Sequence, residues 1–154
     1  MRRMAAVLVG VVALAGCGGS SDSAPRTPPA GDAHESARVI RAWADTLRHG
    51  DVNRAAGFFA LPSVVANGTP PVVLHTLADA RLFNRSLPCG ARLLRTTSAG
   101  RFTTATFRLT ERPGPGACGQ GTGQTARTTF VIRAGKIREW RRVPDNPVPS
   151  GPVI

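Results

Sequence analysis

The spacing of apolar residues changes partway along the chain, and this change constrains the fold more than any other feature. Early on, Val39, Ile40, Trp43 and Leu47 recur at helical spacing and mark one apolar face. Later, Ala105, Phe107 and Leu109 alternate with Thr104, Thr106 and Arg108, which is the period of a half-buried strand. Phe130 and Ile132 repeat that alternation. Helices first and hairpins afterwards predict an α+β fold, with three N-terminal helices packed on a curved antiparallel sheet. The unit that carries both patterns, residues 33–143, has the length of one ordinary domain.

Local signals refine this reading. Asp32-Ala33-His34-Glu35 predicts a capping box, with Asp32 as N-cap and Glu35 at the third helical position. Gly50 ends the first helix and Asp51 caps a second. The second helix offers Val52, Ala55, Ala56, Phe58 and Phe59 to a core and is expected to run until Pro62. Ser63 to Ala66 reads as a short strand, Asn67-Gly68 as a turn, and Pro70-Pro71 excludes helix. Thr76 caps a third helix with Leu77, Ala80, Leu82 and Phe83 on its apolar side, ending before Pro88. Strands are expected over 92–97, 101–111, 125–133 and 136–143, with turns at Ala99-Gly100 and Ala134-Gly135.

The N-terminus reads as an address. Arg2 and Arg3 precede an apolar run from Ala5 to Ala15. As a helix this run would span about 16 Å, roughly half a hydrocarbon core, so it suits a signal peptide rather than a membrane span. Leu14-Ala15-Gly16-Cys17 resembles the lipobox of bacterial lipoproteins. The resemblance implies cleavage before Cys17, diacylglycerol on its thiol and a palmitate-type chain on the new N-terminus. Two or three acyl chains anchor stably where one does not. The expected divisions are a signal peptide over 1–16, a lipidated Cys and flexible tether over 17–32, the domain over 33–143, and a disordered Pro-rich tail over 144–154. The location implied is the extracytoplasmic face of the cell membrane. An ordinary secretory signal with a chance cysteine is the alternative.

The order of elements also carries a family resemblance. A long helix with Trp43, then Gly50-Asp51, a short helix ending at Phe58-Phe59, the Asn67-Gly68 turn, a third helix and strands closing on Gly135-Lys136-Ile137-Arg138-Glu139-Trp140 resemble the NTF2-like superfamily. This is the cone shared by SnoaL-like and ketosteroid-isomerase-like proteins. The resemblance implies a helix-lined, sheet-backed interior pocket, with Trp43, Phe58, Phe107 and Trp140 as candidate walls. Members include hydrolases, isomerases, dehydratases and non-catalytic modules, so the fold leaves function open. Their sheets often pair, which admits a homodimer. No cofactor is implied.

The inventory of reactive groups is small. The chain has no Tyr, so it lacks the oxyanion donor of steroid-isomerase-like members. Three His and three Cys give no metal-ligand spacing. With Cys17 assigned to lipid, Cys89 and Cys118 form an even pair that reads as a structural disulfide in an exported domain; two free or metal-binding thiols are the alternative. Gly114, Gly116 and Gly119 spell GxGxxG, but a strand pattern follows where a dinucleotide site needs a helix, so the stretch reads as a loop. His75 and Asp79 would share one face if helical and could form an oriented base, although Asp79 could equally cap. Glu139 could serve as a base or as a partner for Arg108 if it points inward. Ile137 and Trp140 fall on opposite faces of a regular strand, so its direction depends on whether a bulge intervenes.

Charge completes the reading. Lys and Arg number 20 against 9 Asp and Glu, a formal net charge of +11, and Lys136 is the one lysine. Such an excess can attract nucleic acid, but an exported chain without interleaved basic and aromatic residues argues against that. Anionic lipid headgroups or acidic wall polymers fit better, and a merely solvated surface is the plain alternative. The favoured function is a membrane-anchored, non-catalytic module that binds a small apolar ligand or an envelope protein. One alternative is a small SnoaL-like hydrolase, isomerase or dehydratase using His75, Asp79, Glu139 and Arg108. The other is a binder of anionic envelope polymers.

Overall fold

Helix α1, Ala30–Arg48, buries Val39, Ile40, Trp43, Ala44 and Leu47, the face that the spacing predicts. The computed structural model describes residues 30–144. The signal peptide, Cys17 and residues 145–154 lie outside the described residues, as does the tether up to residue 29. Residues 30–32, expected in the tether, belong to α1 instead. Asp32 is therefore not an N-cap; it sits in the first turn, where a carboxylate complements the helix dipole. Gly50 ends α1 in the left-handed region, φ 88°, and donates its N–H to Leu47 O at 2.9 Å.

Asp51 caps α2, Val52–Ala56, accepting the Arg54 N–H at 2.9 Å. This helix stops well before Pro62. The chain turns extended at Phe59, and strand β1, Phe59–Ala66, contains Pro62. β1 runs parallel to the last strand, and its register shifts between Phe59 and Val64. Pro62 falls in that irregular stretch, where its missing N–H removes no ladder bond. Strand β2, Val72–Leu74, pairs antiparallel with β1, an addition the sequence did not suggest.

Thr76 and Asp79 form the capping box of α3, Leu77–Ser86. Of the expected apolar face, Ala80 is buried and Phe83 packs partly on the core, while Leu77 and Leu82 are exposed. Asn84 is fully buried in their place. Four strands follow: β3, Gly90–Ala99; β4, Phe102–Thr110; β5, Thr125–Arg133; and β6, Lys136–Val143. The sheet order is β2-β1-β6-β5-β4-β3. Gly100 turns the β3–β4 hairpin, and Ala134-Gly135, both at positive φ, turn β5 into β6. Register shifts at Leu93/Arg95 and Val131/Ile132 break the ladders locally, and bulges of this kind bend a sheet.

The helices pack on the sheet face that carries Leu93, Ala105, Phe107, Ala126 and Phe130. Trp43 sits at the centre, edge-on to Phe59, Phe107, Phe130 and Trp140 with ring centroids 5.8–6.4 Å away. Such aromatic pairs contribute roughly 0.5–1.5 kcal/mol each beyond area burial.

Cys89 and Cys118 are joined by a disulfide. It ties the start of β3 to the Gly-rich loop after β4, which makes a single 3-10 turn at Gly119–Gly121 and then enters β5. The GxGxxG stretch therefore has no helix after it. The loop is also held by Glu111, which accepts from Thr122 Oγ1 at 2.7 Å, Gly119 N at 3.0 Å and Cys118 N at 3.1 Å.

Candidate functional site

Between α1 and the concave face of the sheet lies a recess of about 260 Å³. Trp43, Trp140, Phe107 and Leu109 give it aromatic and aliphatic walls, and Leu87, Pro88 and Cys89 form one side. Ala91 and Ala126 leave room beside Phe107, their cross-strand or near neighbour, because neither side chain extends past its Cβ. Polar character comes from Thr128, Asn67 and Arg142. A mostly apolar recess with a few placed polar groups is the usual composition of a small-molecule site. Trp140 is buried, and its indole N–H has no acceptor among the described residues.

Strand β6 reaches this arrangement through its register. Val131 pairs with Glu139 but Ile132 with Ile137, so one residue of β6 is extra. That bulge puts Ile137 and Trp140 on the same buried face despite their odd spacing, and it turns Glu139 to the opposite one.

A second cleft, about 560 Å³, lies between the β1–β2 edge and α3. Val65, Val72, Leu74, Leu82 and Phe83 line it, with His75 and Asp79 at its border. Asn67 touches both this cleft and the recess. Phe58, expected as a wall of the interior pocket, instead borders a shallow depression with Asp45, His49 and Arg54. It lies there because the chain leaves α2 before Phe58 and starts β1 after it, so its ring stays on the helical side.

None of the four acid–base candidates lines the recess, although His75 and Asp79 share the second cleft. His75 precedes α3 rather than lying in it, so the helical pairing with Asp79 does not arise. Asp79 Oδ2 accepts the backbone N–H groups of Thr76 at 2.9 Å and His75 at 3.0 Å. Those contacts, the Thr76 amide and then its hydroxyl foremost, hold the Asp79 carboxyl below the usual range. Its role is capping. Glu139 pairs with Arg141 Nε at 3.0 Å and Arg101 at 3.4 Å, not with Arg108. Arg108 is exposed and donates to Gly123 O at 3.3 Å. No carboxylate or imidazole stands among the described residues that line the recess. No group of three or more His, Cys, Asp and Glu gathers into a metal site among the described residues.

Sequence reasoning missed Asn67, Thr128, Arg142 and the two alanines of the recess. The alternation Ala126, Thr128, Phe130 on β5 carried the signal for Thr128, whereas Asn67 read only as a turn residue. No helix among the described residues is long and apolar enough to cross a membrane.

No family model matches the sequence, and no curated protein sequence matches it. Solved structures do match the fold. A candidate polyketide cyclase from Sinorhizobium meliloti is 16% identical with a TM-score of 0.53, covering 69% of this chain and 94% of that one. A candidate ketosteroid isomerase from Kribbella flavida is also 16% identical with a TM-score of 0.53, covering 78% and 86%. An NTF2-like protein of unknown function from Burkholderia xenovorans is 10% identical with a TM-score of 0.53, covering 77% and 88%. At these identities the likeness is one of architecture. The described domain has the NTF2-like α+β cone, with a curved six-stranded sheet.

Proposed function

We propose that this protein is a non-catalytic, lipid-anchored module whose cone recess holds a small amphipathic ligand at the extracytoplasmic face of the cell membrane. One observation carries the binding part: the recess has two tryptophans, Phe107 and Leu109 on its walls, three polar side chains, and no carboxylate or imidazole among its described residues. Apolar walls favour a hydrophobic body, and Thr128, Asn67 and Arg142 favour a polar or anionic end. At about 260 Å³ the recess is small for a ligand site, so its occupant is small as well.

Two structural neighbours are named for cyclase and isomerase activity, but those names concern those proteins. The recess itself lacks the equipment for proton transfer. The chain has no Tyr, and His75, Asp79, Glu139 and Arg108 stand away from the recess. The anchoring part rests on Cys17 and the apolar run before it.

Both parts have direct tests. Trp43 and Trp140 are the two tryptophans of the chain and both line the recess, so indole emission reports on it. Titration with 1-anilinonaphthalene-8-sulfonate is expected to quench that emission saturably, and Ala126→Phe, which fills the recess, is expected to abolish the quench. An unchanged titration in that variant, or multiple-turnover chemistry lost on the same substitution, overturns the binding reading. For the anchor, Cys17→Ser is expected to release the protein from the membrane fraction. Retention there, or an intact mass without acyl chains, overturns it.

A further inference from the structure

We infer that the outer face of the sheet, turned away from the helices, docks a linear phosphate-bearing polymer, a site separate from the cone recess. The register builds it. Arg92 of β3 lies directly opposite Arg108 of β4, and Arg108 lies opposite Thr125 of β5. In the next row Arg95 faces Thr106, and Thr106 faces Arg127. All four arginines are exposed. Adjacent strands stand about 4.8 Å apart, so the four guanidinium groups fall within one short stretch of extended polymer.

The charge on this face is uncompensated. Glu139 is the only carboxylate in the six strands, and it is engaged by Arg101 and Arg141. No carboxylate lies within ion-pair range of Arg92, Arg95, Arg108 or Arg127 among the described residues. Like charges directly opposite on a sheet destabilise it, so the Arg92–Arg108 pair costs the fold and gains only when an anion bridges it. The guanidinium fork matches phosphate oxygens two at a time, and Thr104, Thr106 and Thr129 add hydroxyl donors on the same face.

Other occupants fit less well. A second copy laid on this face would set arginines against arginines. A single-stranded nucleic acid would stack its bases on rings, and Phe102, the exposed aromatic here, already carries Arg101 over its ring at 4.7 Å. A lipid surface would be met by a broad apolar face, whereas Leu94 and Val143 stand here among four arginines.

The test uses the full chain and inorganic polyphosphate as probe, titrated over a series of NaCl concentrations. The triple variant Arg92→Gln, Arg108→Gln, Arg127→Gln is expected to bind at least tenfold more weakly. Its log–log salt slope should fall by about one for each phosphate that the variant no longer engages. A control triple on the exposed helical surface, Arg38→Gln, Arg41→Gln, Arg54→Gln, is expected to change affinity less than threefold. The sheet triple should melt no lower than wild type, since it relieves repulsion, so weaker binding is not unfolding. Equal loss in both triples, meaning net charge alone, overturns the proposal, as does absence of polyphosphate binding by the wild type. It is also overturned if the sheet triple loses binding to phosphatidylglycerol vesicles, or self-association, while keeping polyphosphate. None of these outcomes touches the recess, so 1-anilinonaphthalene-8-sulfonate binding continues to judge the ligand site independently.

Discussion

The indole N–H of Trp43 donates to Asn84 Oδ1 at 2.9 Å, joining α1 to α3 through the middle of the core. Asn84 is fully buried and uses its own amide N–H on Ala80 O at 2.7 Å, so both ends of its side chain are satisfied. A buried amide is tolerable only under that condition. Asn84→Leu removes the acceptor and leaves the Trp43 N–H buried and unpaired. The expected cost is about 1–3 kcal/mol in urea unfolding of the oxidised protein. Trp43→Phe and Asn84→Leu combined should be less destabilising than the sum of the single changes, with a coupling of roughly 0.5–3 kcal/mol. Strict additivity in that cycle would show that the hydrogen bond contributes nothing.

Arg112 closes the C-terminal end of α3. It is buried and has no carboxylate partner among the described residues; its guanidinium donates to Leu87 O at 2.8 Å, Arg85 O at 3.1 Å and Asn84 O at 3.3 Å. Those are carbonyls that a helix end leaves unpaired. Burial pulls the Arg112 pKa below its ordinary value, yet arginine stays charged at any working pH. Arg112→Met is expected to cost about 2–4 kcal/mol, because several charge-assisted bonds go at once. Arg112→Lys should recover only part of that, since one ammonium cannot reproduce the fork. Equal stability of the Lys variant and wild type, by chemical denaturation, would refute the fork's role.

Much of this architecture is legible in the sequence because it depends on local rules. Trp43 and Leu47 announce a helical face, Phe107 and Phe130 announce strands, and Thr76 with Asp79 announces a helix start. What is not legible depends on partners far along the chain. Pro62 reads as a helix stop, and only the slipped register against β6 lets it sit in a strand. Asn84 carries no local signal of burial, because its partner Trp43 lies 41 positions away. Arg112 looks like one more solvated arginine until α3 presents its last carbonyls. For the recess, Trp43, Phe107 and Trp140 were expected as walls, while Thr128 and Arg142 required the strand pairings. Asp79 is legible as a cap from its place three residues after Thr76, whereas its spacing from His75 builds no helical pair because His75 precedes α3.

The Glu111 carboxylate should make the Gly-rich loop sensitive to acid. Its contact with the Thr122 hydroxyl, followed by the Cys118 and Gly119 amides, holds its pKa below the usual glutamate range. A lowered folded pKa means the stabilisation is full above the ordinary value of about 4.3 and is lost as pH falls from there through the folded value. Amide exchange at Gly119, corrected for intrinsic rate, is expected to accelerate on acidification below pH about 4. Glu111→Gln should already show the faster exchange at neutral pH and little further change. An identical pH profile in both proteins would rule out this carboxylate as the cause. Asp79 should behave with the same sign at the start of α3, because hydrogen-bond donors, the Thr76 amide foremost, lower its pKa too.

The Cys89–Cys118 disulfide should matter to both stability and the recess. It closes a loop with a sequence separation of 29 residues, which the chain-entropy account values at about 3–4 kcal/mol. Cys89 also lines the recess beside Pro88 and Leu109. The double variant Cys89→Ala, Cys118→Ala is expected to lose about that much stability in urea. It should also bind 1-anilinonaphthalene-8-sulfonate more weakly at temperatures where it remains folded. The second effect follows because the wall formed by Pro88 and Cys89 would then be tethered only through α3 and β3, and a recess with a mobile side binds with a larger ordering cost. Reduction of the wild type should reproduce both changes. If stability falls but the titration stays the same, the bridge serves the fold and the recess wall stands without it.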